Sequence, residues 1–270
     1  MSNTCNGIKD GGHFEKENAM CRRILRVANA LLDGVVLLCL LTVGAYAAYA
    51  LWDNAQVYGA AQNVRAEMLQ YKPARDGDWG ASFEKLLALN PDICGWISLD
   101  GTGIDYPILQ GSTNLTYINR DVYGEFSLAG SIFLDTRNSR DFLDAYSLLY
   151  GHHMENGGMF GDLDRYRESD FFETNRTGTL VTQESSHSLE IFACLLVDAG
   201  EKTLFEPERW QAGIEGPLSF AKDHALCWRE AAPEQAEETR VLALSTCASD
   251  FTDARTVVLA RIVEEEEGAA

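Results

Sequence analysis

The sequence is short of positive charge, of closely paired cysteines and of repeats, and each shortage narrows what the chain can do. It holds 22 Lys and Arg against 41 Asp and Glu, a net charge of −19. This argues against nucleic acid as a partner, because phosphate binding needs clustered cations. Seven cysteines are present without one C-x-x-C pair, so zinc-finger and thioredoxin-like motifs have no support. Acids gather at Asp162, Asp164, Glu168 and Asp170 but lack the D-x-D-x-D-G order of a calcium loop. They read as a helix surface, and no metal or other cofactor is expected. No internal repeat or low-complexity tract occurs outside the acidic end at residues 264–267, a solvated tail. What is present is ordinary for a globular protein: 46% apolar and 23% charged residues, so disorder is not the default.

The charge is unevenly spread. Residues 1–26 carry five Lys or Arg and three acids, whereas the chain from Asp53 onward carries 17 and 37. Between Asp33 and Asp53 lie 19 uncharged residues, GVVLLCLLTVGAYAAYALW. As a helix they span roughly 28 Å, about the hydrocarbon thickness of a bilayer. Arg22, Arg23 and Arg26 precede this run, so the positive-inside rule puts the N-terminus in the cytoplasm and the remainder outside. The expected organisation is a cytoplasmic segment 1–29, a single-pass anchor 30–52, a helical stalk 53–90, a folded external domain 91–264 and a tail 265–270. A cleaved signal peptide is the alternative, since Ala45-Tyr46-Ala47 and Ala48-Tyr49-Ala50 resemble A-x-A sites. The apolar run is long for an h-region, which favours the anchor. Cys94, Cys194, Cys227 and Cys247 then lie outside, in a domain large enough not to need disulfide staples.

Residues 54–72 predict a helix, broken at Pro73 and the Asp76-Gly77-Asp78 cluster. Residues 82–89 predict another, with Ser82 as N-cap and Glu84 in the first turn. Short β-type runs follow at 94–99, 104–109, 131–135, 146–150, 178–183, 188–197, 240–246 and 255–263. Eight short strands without regular α-crossovers predict a closed or nearly closed barrel, a mainly β, α+β fold. Residues 205–238 interrupt it with a helical pattern between the sixth and seventh strands, and Pro217 suits a first helical turn.

Two apolar strands end in reactive side chains. One runs SLLY into Gly151, His152 and His153; the other runs VLALST into Cys247, followed by a polar loop and Arg255. Together they offer a nucleophile, a proton carrier and a fixed cation able to stabilise an oxyanion. Taken singly, each has a plainer reading: a strand-end cysteine as core, a loop histidine as structural, an arginine as a surface ion pair.

Several segments, in order, resemble the sortase family over roughly residues 85–264. Leu244-Ser245-Thr246-Cys247 is similar to the family's T-L-x-T-C strand, with Ala243 where Thr is usual. Tyr150-Gly151-His152-His153 matches the histidine segment of class B members. Residues 90–99 (NPDICGWISL), 104–110 (IDYPILQ) and 129–135 (AGSIFLD) are further class B-like stretches. The resemblance implies a sortase-type eight-stranded barrel with N-terminal helices and a helix between strands six and seven. It implies a cysteine transpeptidase with Cys247 as nucleophile, His152 as general acid/base and Arg255 as the arginine opening the last strand. Tyr150, Ser245 and Thr246 are expected to line the substrate groove, and His153 is read as a neighbour. Arg240 and Arg261 occupy the wrong places, and Asp250 receives no role. The implied partners are secreted proteins with a C-terminal sorting signal and an amine acceptor from peptidoglycan or a pilin. Competing readings are a tethered ligand-binding barrel with Cys247 in its core, or another cysteine peptidase. Neither a C-G-S-C-W nor an S-H-G-C-x-R string supports the latter.

Overall fold

Strand β8 (Arg240–Cys247) shows in one segment how the sequence builds the domain. Its alternate residues feed two different cores. Leu242 and Leu244 enter one buried cluster, with Ile97, Ile108, Leu149, Leu180, Ile191 and Val258. Val241 and Ala243 enter a second, with Tyr146, Leu148, Leu195, Val257 and Leu259. Successive side chains of a strand point to opposite faces, so a strand buried on both faces reads as an unbroken apolar run. Each fully buried Leu or Val is worth roughly 1.5–3 kcal/mol of transfer free energy.

The computed structural model describes residues 11–73, 79–229 and 239–264. The other strands are β1 (Ile93–Leu99), β2 (Asp105–Leu109), β3 (Ile132–Leu134), β4 (Tyr146–Tyr150), β5 (Thr177–Val181), β6 (Ser186–Asp198), β7 (Cys227–Trp228) and β9 (Ala254–Glu264). Their order is β5-β1-β2-β3-β4-β8-β9-β6, and β6 pairs back onto β5. This closes the eight-stranded barrel that the sequence predicts. The joints β2–β3 and β4–β8 are parallel and the remaining joints antiparallel. The first core fills the barrel. Helix α3 (Ser169–Thr174) leads into β5. The second core lies on the outer face, under α4 (Lys202–Phe205) and α5 (Glu215–His224), through Leu204, Ile214 and Ala221. A third packs Met68, Phe83 and Leu86 against Trp96, Leu109 and Phe133, seating the helices that precede the barrel.

Those helices are α1 (Gly11–Met68), continued by a 3-10 turn over Leu69–Tyr71, and α2 (Trp79–Leu89). The chain divides into two compact units, residues 1–55 and 56–270. Within the first, α1 exposes Leu31, Val35, Leu38 and Leu41. Its central window has a mean hydropathy of 2.1 with none of it buried, long and apolar enough to cross a membrane.

Three sequence expectations shift. Helix α2 begins at Trp79, so Ser82 lies inside it and is not its N-cap. The burial of Phe83 and Leu86 supports the helix from its inner face, and helix ends are the part of a pattern least bound to one residue. The 205–238 insertion holds α5 as predicted, but also the two-residue strand β7 on the edge of β6. Two residues carry no period to read. The acids at 162–170 are not merely a solvated surface: Asp162 accepts from the Gly103 N–H at 2.6 Å, and Asp164 is engaged on both oxygens. The Asp76-Gly77-Asp78 break, the last part of the insertion over 230–238 and the acidic tail beyond Glu264 lie outside the described residues.

Candidate active site

The parallel pairing of β4 with β8 decides the geometry. Tyr146 pairs with Val241 and Tyr150 with Ser245, and the Gly151 N–H extends the ladder by donating to the Ser245 carbonyl at 3.1 Å. Two residues beyond Tyr150 is His152; two beyond Ser245 is Cys247. Parallel strands spaced about 4.8 Å apart bring their C-terminal ends to the same edge, so the segments that carry His152 and Cys247 leave the sheet at one edge. Strand β9 runs antiparallel to β8 and starts at this edge, with Arg255 directly opposite Cys247. Directly paired residues present side chains on one face. Alternation puts Cys247 on the outer face with Val241 and Ala243, and Arg255 on that face with Val257 and Leu259. Leu148 and Tyr150 share the corresponding side of β4, which ends two residues before His152.

Gly151 is required between Tyr150 and His152. A Cβ there would lie 2.5 Å from the Ile132 side chain and 2.7 Å from the Phe160 ring. His152 is half-buried, and its Nε2 lies 2.7 Å from the Ile118 carbonyl oxygen. A carbonyl only accepts, so Nε2 carries the hydrogen and Nδ1 is the ring atom left for proton transfer. Gly130, at φ +59°, passes beneath: a Cβ would lie 2.3 Å from that same Ile118 oxygen. Ile118 and Gly130 thus set the ring's tautomer and tilt. Sequence reasoning gave them no role, because a backbone carbonyl leaves no residue-type signal.

Cys247 is exposed. Cys94 and Cys194 are buried, and burial pushes the Cys94 thiol up to about 12 and Cys194 higher still. Cys227 is half-buried and its thiol is also raised by burial. A thiolate needs solvent or a cation, which points to Cys247 among these four. Its exposure also contradicts the reading in which Cys247 belongs to the core. Arg255 is half-buried and donates from Nη1 to the Ala254 carbonyl at 2.9 Å, using one of five guanidinium N–H groups.

The expected groove residues separate. Ser245 is 1% exposed and shares the outer face with Cys247. Tyr150 is half-buried on that side and donates its hydroxyl to Asp135 Oδ2 at 3.0 Å. Thr246, at 2% exposure, alternates to the barrel interior with Leu242 and Leu244, opposite Thr256. Its side chain therefore does not line the face that carries Cys247; the strand's alternation forbids it. His153 turns away from His152 and pairs with Asp164, Nε2 to Oδ2 at 3.0 Å. Arg261 pairs with Glu190, and Arg240 sits at the far end of β8, donating to the Phe142 carbonyl at 3.3 Å. Among the described residues no group of three or more His, Cys, Asp or Glu could hold a metal ion.

Comparison with known proteins gives a consistent answer. A family model for the Sortase domain matches residues 97–263. The chain is 32% identical over 187 residues to sortase B of Staphylococcus aureus, covering 67% of this chain and 75% of that protein. It is 30% identical over 190 residues to sortase B of Listeria monocytogenes, covering 70% and 76%. Among solved structures, a Streptococcus pyogenes class B sortase involved in pilus biogenesis is 41% identical, with a TM-score of 0.62 over 68% of this chain and 98% of that one. With the barrel closed, the cysteine and arginine in register and these relatives of class B, the chain belongs to the sortase family of transpeptidases.

Proposed function

We propose that the protein is a membrane-anchored cysteine transpeptidase of class B type, with Cys247, His152 and Arg255 as its catalytic residues. The observation that supports this reading is the register: Cys247 pairs with Arg255 across β8–β9, and β4, which leads into His152, runs parallel to β8, which ends in Cys247. The Cys247 thiolate attacks a peptide carbonyl of the substrate, forming a C–S bond and an oxyanion. Arg255 stabilises that oxyanion through its guanidinium. His152 gives a proton from Nδ1 to the departing amine as the C–N bond breaks, leaving a thioacyl-enzyme. An acceptor amine then attacks, His152 takes back a proton, and the C–S bond breaks to return the thiolate.

Secreted proteins with a C-terminal sorting signal fit as acyl donors, and an amine of peptidoglycan or of a pilin as acceptor. Tyr150 contributes its side chain to the groove, and Ser245 and Thr246, whose side chains are buried, contribute backbone. Helix α1 serves as a single-pass anchor, with Arg22, Arg23 and Arg26 on the cytoplasmic side and the barrel outside. The test is mass spectrometry of the intact protein after incubation with a pool of sorting-signal peptides. A thioester adduct on Cys247, absent from Cys247→Ala, is the expected result and also identifies the preferred signal. Adducts elsewhere, or none with any peptide, would remove Cys247 from the reaction.

A further inference from the structure

Neither the strand motifs nor the triad involves the 3-10 helix over Gly161–Arg167, yet this helix grips the chain on both sides of the site. Three residues complete a 3-10 turn, so side chains at i and i+3 stand one above the other. Asp164 and Arg167 are such a pair. Asp164 meets His153, the residue after His152, and accepts from the hydroxyl of Thr256, the residue after Arg255. Arg167 meets the loop that follows Cys247. Its Nη1 and Nη2 donate to the two oxygens of Asp250 at 2.8 and 2.6 Å.

That loop has little else to fix it. Residues 249–253 are all exposed. The Ala248 N–H donates to the Ala254 carbonyl at 2.9 Å, closing the loop's neck, and the Asp253 carbonyl accepts from the Ala199 N–H at 3.0 Å. Asp250 provides the side-chain hold at the tip. A planar guanidinium fork on both carboxylate oxygens fixes orientation as well as distance. Hydrogen bonding from Arg167 also keeps the Asp250 carboxyl below the usual carboxylate range. The Arg167 carbonyl in turn accepts from Cys227 Sγ at 3.7 Å, holding the helix end against β7.

We propose that Arg167 and Asp250 are positioning residues that hold the Cys247 loop in place for attack, with Asp164 fixing the histidine side from the same helical face. This rests on the reading of Cys247 as nucleophile. An ion pair this exposed adds little to global stability. Its effect falls on the reacting geometry, where a displacement of about 1 Å costs on the order of 100-fold in rate.

The test is charge reversal read by two measurements. Arg167→Asp and Asp250→Arg should each lower the rate of thioacyl formation on Cys247 by roughly 10-fold or more, mainly in kcat. The double variant should recover to within about threefold of the original. Arg167→Lys keeps the charge without the fork and should remain impaired. Amide exchange of residues 248–253 should quicken in the single variants and slow again in the double, at unchanged Tm. Single variants within twofold of the parent, or a double variant no better than its singles, would overturn the clamp. If the parent forms no thioacyl adduct, the nucleophile assignment fails instead. Loop exchange then judges the clamp alone, and unchanged exchange in Asp250→Asn would dismiss it.

Discussion

Two arginines at strand edges serve opposite ends, and comparing their surroundings separates scaffold from site. Arg137, just past β3, is saturated. It holds both oxygens of Asp135 at 2.9 and 2.7 Å, and it also donates to Glu208 at 3.1 Å and to the Phe205 carbonyl at 2.8 Å. Asp135 is itself filled by Asn114 and Tyr150. Burial alone would raise the Asp135 carboxyl, but the hydrogen bonds from Arg137 more than reverse this and hold it below the usual range. Arg255, at the start of β9, makes a bond to its neighbour's carbonyl and stands opposite an exposed thiol. A buried charge with all its partners in place rigidifies a fold. A half-buried cation beside an open thiol keeps donors in reserve for charge that develops during a reaction.

The comparison can be broken most sharply at the sulfur. Cys247→Ala should abolish transpeptidation while leaving Tm within a degree or two, because an exposed strand-end thiol packs little; residual turnover above background would void the contrast. Next in size, His152→Ala should lose about 10²–10⁴-fold in kcat/KM, the usual worth of a general acid/base. His153→Ala, which removes only the Asp164 contact, should lose no more than about 10-fold. The reverse ranking would show that the wrong ring had been assigned. Arg255→Lys should cost on the order of 10²-fold in kcat at unchanged Tm, since a point-charge amine cannot copy the fork.

The smallest effect belongs to the saturated cluster. Asp135→Asn should lower stability by about 2 kcal/mol at neutral pH, the worth of hydrogen bonds to a charged group. The sign with pH follows from linkage. A carboxyl whose folded pKa lies below its unfolded value of about 4 contributes stability above that value, and loses it as pH falls through the folded one. Denaturant midpoints measured from pH 6 down to pH 2 should therefore fall less steeply in Asp135→Asn than in the parent. Equal slopes would mean that the carboxylate is not held by its partners as the geometry implies.

Much of this was legible in the chain. All eight barrel strands stand within two residues or so of the runs of β-branched and aromatic residues that predict them, because alternation and turn chemistry act over a few residues at a time. The two reactive strand ends were legible for the same reason: an apolar run ending in Gly-His or in Cys marks where burial stops. Less legible were Ile118 and Gly130, which act through backbone. Thr246 sits in the motif beside Cys247, and only its parity with Leu244 takes it to the other face. Asp164 read as part of an acidic helix surface, and only the 3-10 turn stacks it with Arg167.

By itself the sequence determined the strands, the long apolar helix and the residue types able to carry acyl transfer, since each follows from short-range periodicity and intrinsic chemistry. Only the tertiary structure decided that β4 lies parallel to β8, and β9 antiparallel to it. That choice pairs Cys247 with Arg255 and brings the end of β4, which leads into His152, to the same edge of the sheet. The reason is that strand pairing is selected by the packing of three separate cores against the barrel wall, a long-range sum that no single segment contains.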